Sequence, residues 1–94
     1  MTRSRLEIYL DLLLAVSQHT DLFTIADKVR LTVSAARDHL TFLVTQGFVE
    51  TRFTQNHIII YELSTKGAET VSAFLRLSGR STPVLERQLA TQTY

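Results

Sequence analysis

Eight of the ten cationic side chains in this 94-residue chain are arginine, yet nine carboxylates hold the formal net charge at +1. Arginine's planar fork matches phosphate oxygens and the O6/N7 edge of guanine, so this choice of cation tilts slightly toward nucleic-acid chemistry. Arg37 opens the stretch RDHLTFLVTQGFVETR (residues 37–52), where a helical apolar stripe runs into a glycine and then a strand pattern. On a helix capped by Thr32, the outward positions are Val33, Ser34, Arg37, Asp38, Thr41 and Thr45. Arg37 is the only cation among them, and a bidentate pair with guanine gives about 1–3 kcal/mol of discrimination. Thr32, Ser34 and Thr41 can bond phosphates or base edges, whereas Asp38 opposes the backbone and is either solvated, paired with Arg37, or an acceptor for a cytosine amino group. Lys28 and Arg30 beside the preceding turn, and Arg52 with His57 on the following hairpin, are candidates for flanking phosphates. Arg3 and Arg5 join them wherever the N-terminus lies near a duplex.

Other chemistries find little support. His19, His39 and His57 fall on a helix end, inside a helix and on a hairpin, with no cysteine anywhere, so no metal site is expected. His39 reads instead as a side chain at the edge of the core. No nucleophile–base arrangement, phosphate-cradling glycine loop or catalytic carboxylate pair is visible, and the three glycines read as turn or cap residues. The chain is therefore expected to be no enzyme and to need no cofactor. Low net charge does not exclude a polyanion, because binding depends on where charges sit. A handful of arginines, doubled in a dimer, suffices, with a gentler salt dependence than a strongly basic coat protein would show.

The elements that must position these residues are legible in outline. Ser4-Arg5-Leu6-Glu7 has the form of a capping box, which predicts a first helix from Arg5 to about Gln18. Its apolar residues occupy two sides. Leu6, Tyr9, Leu10, Leu13 and Ser17 make one face, and Ile8, Leu12 and Ala15 a second. In so small a domain the second face implies a partner chain. Thr20 and Asp21 can cap a short second helix through Val29. Thr32 caps the third, with Ala36, Leu40 and Leu43 as its inward seam and Gly47 as its left-handed terminator. Phe48–Thr54 and Ile58–Ser64 read as strands joined at Gln55-Asn56-His57, where Asn56 is suited to positive φ. Ser64 caps a fourth helix over 65–78, with Ala68, Val71 and Leu75 inward and Phe74 and Leu77 to the side. The resulting order, α-α-α-β-β-α, is mostly helical with a small hairpin wing, a winged helix-turn-helix occupying residues 1–79. Residues 80–94 form a tail with a short helix possible after Thr82-Pro83.

FTIADKVRLTVSAARDHLTFLVTQGFVETR (residues 23–52) resembles the winged-helix regulators of the MarR, ArsR and PadR kind. Ile25-Ala26 stand where a Leu-Ala pair begins helix two, Thr32 where a hydroxyl caps the reading helix, and Leu43 through Gly47-Phe48-Val49 where that helix ends. YELSTKG (residues 61–67) looks like the segment that closes the wing. RSRLEIYLDLL (residues 3–13) is similar to the first helix of the small archaeal chromatin-type proteins of the Sso "ten-a" group. The resemblance covers about residues 3–77. It implies a homodimer that binds double-stranded DNA as a transcriptional regulator or chromatin protein, cytoplasmic and nucleoid-associated. The reading helix would enter the major groove and the wing would follow the backbone or minor groove. Two departures matter. Arg30 stands where the turn usually has glycine, a positive-φ position costing about 1 kcal/mol for any other residue. Gly79 and Pro83 interrupt the C-terminal helix, so dimerisation is expected through helices one and four, by Ile8, Leu12, Ala15, Phe74 and Leu77.

Two further readings follow from the residues. Phe42 lies off the seam of its helix, and Ile58 and Ile60 share a hairpin face opposite Ile59, Tyr61 and Leu63. Large exposed apolar residues imply an interface, either the wing packed on helix one or the tail, or a surface for another protein. The alternative function is thus a protein–protein module that no longer reads DNA. The run after Arg3 and Arg5 is broken by Glu7 and Asp11 and is too short and charged to span a bilayer, which points to a soluble intracellular protein with no membrane role. No effector pocket can be named from these residues.

Overall fold

A computed structural model describes residues 3–78, and everything structural below concerns those residues. Helices α1 (Arg5–Val16), α2 (Leu22–Lys28) and α3 (Val33–Thr45) are followed by strands β1 (Val49–Phe53) and β2 (Ile59–Leu63) and helix α4 (Thr65–Ser78). This is the expected order, a winged helix with a two-stranded antiparallel hairpin. The domain boundary at residue 79 and the tail 80–94, with its short helix, lie outside the described residues.

Each helix start is a local hydrogen-bonding solution to its orphan amides. Ser4 Oγ accepts from the Glu7 amide at 3.1 Å, and Glu7 reaches back to the Ser4 amide, completing the capping box. Asp21 accepts from the Thr24 amide at 2.9 Å, and Thr32 from the Ala35 amide at 3.1 Å. Helix α1 stops two residues before Gln18. The Gln18 and His19 amides both turn back to the Ala15 carbonyl, tightening its end.

Helices α2 and α3 end in the same bonded loop. Phe48 N–H donates to the Leu43 carbonyl and Gly47 N–H to Val44, with Gly47 at φ 84°. At the other site Leu31 N–H donates to Ala26 and Arg30 N–H to Asp27, with Arg30 at φ 59°. The left-handed position expected at Arg30 is real, and there a side chain bears the strain that glycine escapes.

Leu12, Ile25, Leu40 and Val49 are fully buried where the first three helices meet the base of the wing. Burying each such side chain contributes about 1.5–3 kcal/mol. The inward seam of α3 is as expected, with Ala36, Leu40 and Leu43 all buried. A bond from the Tyr61 amide to the Thr20 carbonyl (3.0 Å) ties β2 to the connection between α1 and α2.

Four expectations are corrected. Leu12 and Ala15 belong to the chain's own core, not to a face left for a partner. On α4 the inward position is Gly67 rather than Ala68, which is exposed. A Cβ at Gly67 would sit 2.0 Å from the Phe48 carbonyl oxygen, so α4 presses its first turn on the wing's base and only glycine fits. Gly67 is therefore a helix-interior packing residue, neither turn nor cap. In the hairpin, His57 takes the positive φ (60°) in place of Asn56. The turn is closed by Thr54: its carbonyl accepts from the His57 amide and its hydroxyl from the Ile58 amide.

Candidate nucleic-acid interface

Because Ala36, Leu40 and Leu43 anchor α3 inward, the opposite side of the helix is left open. Ser34, Arg37, Asp38 and Thr41 are exposed, with Val33 half-buried beside the capping residue Thr32. Arg37 and Asp38 are adjacent in sequence and hence about 100° apart on the helix, so they do not face each other. Among the described residues neither joins an ion pair; the pairs are Arg3–Asp11 and Arg52–Glu62. Among the described residues Arg37 is thus an unpaired guanidinium on the outward side of α3.

The hydroxyls behind it are less free. Thr41 donates to the Arg37 carbonyl at 2.9 Å and Thr45 to the Thr41 carbonyl at 3.0 Å. Their protons are held by the helix, which leaves them as acceptors toward a ligand. Phe42 and His39 are explained from within. Tyr9 of α1 stacks on Phe42 at 5.0 Å and meets His39 edge-on at 5.5 Å, an aromatic clamp between α1 and α3.

On the wing, Val49 faces Leu63, Glu50 faces Glu62, Thr51 faces Tyr61, Arg52 faces Ile60 and Phe53 faces Ile59. The two glutamates are directly opposed, and Arg52, diagonal to Glu62, pairs with it. The wing's one arginine is therefore engaged, and two acids against one arginine leave it without cationic excess. His57 is exposed at the turn.

Lys28 and Arg30 are exposed, but the structure groups them elsewhere. They line a cleft of about 860 Å³ with Arg3, Asp11, Leu14 and His19, to which neither α3 nor the wing contributes. Arg3 donates to Asp11 at 2.9 Å and to the Val29 carbonyl at 2.6 Å. Two helix C-termini converge here, and cations beside their carbonyl ends offset the helix dipoles. Arg3 is thus committed to the fold. The residues named from sequence for flanking phosphates divide into the wing set, Arg52 and His57, and this separate group.

Lys66, in the first turn of α4, reaches back to the end of α3. Its Nζ donates to the Gln46 carbonyl at 2.9 Å and sits 4.3 Å from the Phe48 ring centroid. Ser64 Oγ donates to the Gly47 carbonyl at 2.5 Å and accepts from the Gly67 amide at 3.0 Å. Together they fasten the start of α4 to the end of α3. Of the residues expected at a dimer interface, Ile8 and Phe74 are half-buried against the core, while Leu77 is exposed. Leu6 is exposed and Leu10 and Leu14 half-buried along the outer side of α1. Among the described residues no group of three metal-ligating side chains converges, and no described helix is long and apolar enough to cross a membrane.

Three packed helices, the third behind a tight turn, and a hairpin sealed against a fourth helix define a winged helix-turn-helix. The family described as winged helix-turn-helix matches residues 2–80, and the chain belongs to it. Among solved structures it is similar to Sso10a-2, a DNA-binding protein from Sulfolobus solfataricus: TM-score 0.70, 20% identity, covering 97% of this chain and 90% of that one. MepR, a transcription regulator of the Staphylococcus aureus multidrug efflux pump MepA, gives a TM-score of 0.67 at 17% identity, covering 92% and 73%. The transcriptional regulator BldR from Sulfolobus solfataricus gives 0.62 at 17% identity, covering 93% and 70%. At these identities the likeness is one of fold. No curated protein matches the sequence significantly.

Proposed function

We propose that this protein binds double-stranded DNA as a homodimer, placing α3 in the major groove and the wing along the backbone or minor groove. The observation that carries this reading is Arg37, exposed and outside every ion pair among the described residues, on the outward side of a helix anchored by its seam. Arg37 contacts a base. Thr32, Val33, Ser34 and Thr41 line the groove around it, and Asp38 accepts from a cytosine amino group. Arg52 and His57 meet flanking phosphates from the wing. The dimer forms where α1 and α4 leave Leu6, Leu10 and Leu77 open, and Phe74 packs beneath. Such a protein acts as a transcriptional regulator or a small chromatin component in the nucleoid.

Selection of bound fragments from random duplexes tests the reading and sorts its two forms. One enriched motif identifies a regulator, enrichment without a motif an architectural protein, and no retention refutes DNA binding. Sedimentation tests the dimer, and a monomer at high micromolar concentration would refute it.

A further inference from the structure

We propose that the wing tip is an apolar wedge that enters the minor groove, unstacks a base step and bends the duplex. This rests on the DNA-binding reading above and adds a mechanical action to it. Phe53 is 72% exposed, Ile58 54% and Ile59 42%. Phe53 and Ile59 are a directly opposed cross-strand pair. They continue the stripe that begins, at the wing's base, with buried Val49 and Tyr61. That stripe therefore runs past the edge of the core and ends on large side chains in water.

The tip is built to hold them there. The Thr54 amide donates to the Ile58 carbonyl at 2.9 Å, the Ile58 amide to the Thr54 hydroxyl at 3.2 Å and the His57 amide to the Thr54 carbonyl at 3.0 Å. These bonds make a closed, narrow end rather than a loose loop. From Thr51 to Ile60 there is no carboxylate, so nothing on the tip repels a phosphate-flanked groove. Nor does the tip have a free arginine with which to grip that groove electrostatically, because Arg52 is paired to Glu62. What it offers is apolar bulk on a thin ribbon, the form of the Phe and Ile side chains that wedge base steps apart.

Size decides between this and a protein partner. Three partly exposed side chains offer on the order of 300 Å², well short of the roughly 800 Å² that each partner contributes to a standard protein interface. A single base step needs no more than one or two such side chains.

The test uses the full chain and a duplex of about 30 base pairs, with dyes at its ends and 2-aminopurine at central steps. Binding of the unaltered protein should raise energy transfer between the ends and brighten the 2-aminopurine, consistent with a kink of about 20–90°. Phe53→Ala and the double variant Phe53→Ala/Ile59→Ser should lose both signals, with affinity falling about tenfold or less and the salt slope unchanged, since no charge is altered. Phe53→Trp should keep them. Binding without bending, or bending that survives the double variant, overturns the wedge while leaving DNA binding intact. Failure to bind any duplex overturns both. A change in the free protein's sedimentation on Phe53→Ala would instead identify a self-association surface and overturn the wedge.

Discussion

Helix α3 and the wing each carry one arginine toward the proposed duplex, and the two are held in opposite ways. Arg37 has its nearest acid in sequence at the next position, which helical geometry turns aside. Arg52 has its acid ten positions away, which strand pairing brings back across the hairpin. The helix thus presents a charged, hydrogen-bonding surface, and the wing a neutralised flank with an apolar end. Sequence distance to a counter-ion is a poor guide to whether a cation is available; the geometry of the element decides. If both regions touch DNA, they contribute different things: selection from the helix, attachment and distortion from the wing.

The largest expected effect breaks the comparison by unseating the wing from its support. Gly67→Ala places a Cβ against the Phe48 carbonyl and should cost at least about 2 kcal/mol, a fall in melting temperature of about 8–16 °C for a domain of this size. An unchanged melting temperature would mean that α4 does not press on the wing as described. Next, Arg37→Ala should cost about 1–3 kcal/mol against the preferred sequence and little against random duplex. Anisotropy titrations on both duplexes give the ratio, and equal losses would assign Arg37 to phosphate.

A smaller effect sharpens the contrast from the other side. Glu62→Gln frees Arg52 and relieves the Glu50–Glu62 opposition, so DNA affinity should rise uniformly across sequences, with a salt slope steeper by about one. Its effect on stability should stay within about 1 kcal/mol, as for other surface pairs. Unaltered affinity would remove Arg52 from the interface. Smallest is Arg30→Gly. It relieves the left-handed strain and should stabilise the fold by up to about 1 kcal/mol in thermal denaturation. Because Arg30 lines a cleft to which α3 and the wing contribute no residue, DNA affinity should hold; a large loss would return Arg30 to the phosphate-contacting set.

What could be read in advance divides along a physical line. The caps at Ser4, Asp21 and Thr32 and the terminator Gly47 are decided within one helical turn, so residue type and spacing reveal them. The α3 seam is equally local in its periodicity. Leu12 and Ala15 read as a partner-facing side because a helix apolar on two sides shows that both are covered but not by what. Asn56 and His57 compete for one left-handed position, and the choice falls to the bonding of Thr54. The exchange of Ala68 for Gly67 is a rotation of one residue, set by an approach to Phe48 that no periodicity contains. For the same reason the Tyr9–Phe42 stack and the Lys66 contacts were invisible: each joins elements far apart along the chain.

The fastening of Ser64, Lys66 and Gly67 to the Gln46–Phe48 corner has a metrical consequence. It ties the start of α4 to the end of α3, so in the proposed dimer, joined partly through α4, the two α3 helices would keep a constant separation. Such a pair acts as a caliper. Operators whose halves lie a full turn apart, about 10 base pairs, suit it, and inserting one base pair between them rotates one half out of reach without changing a single contacted base.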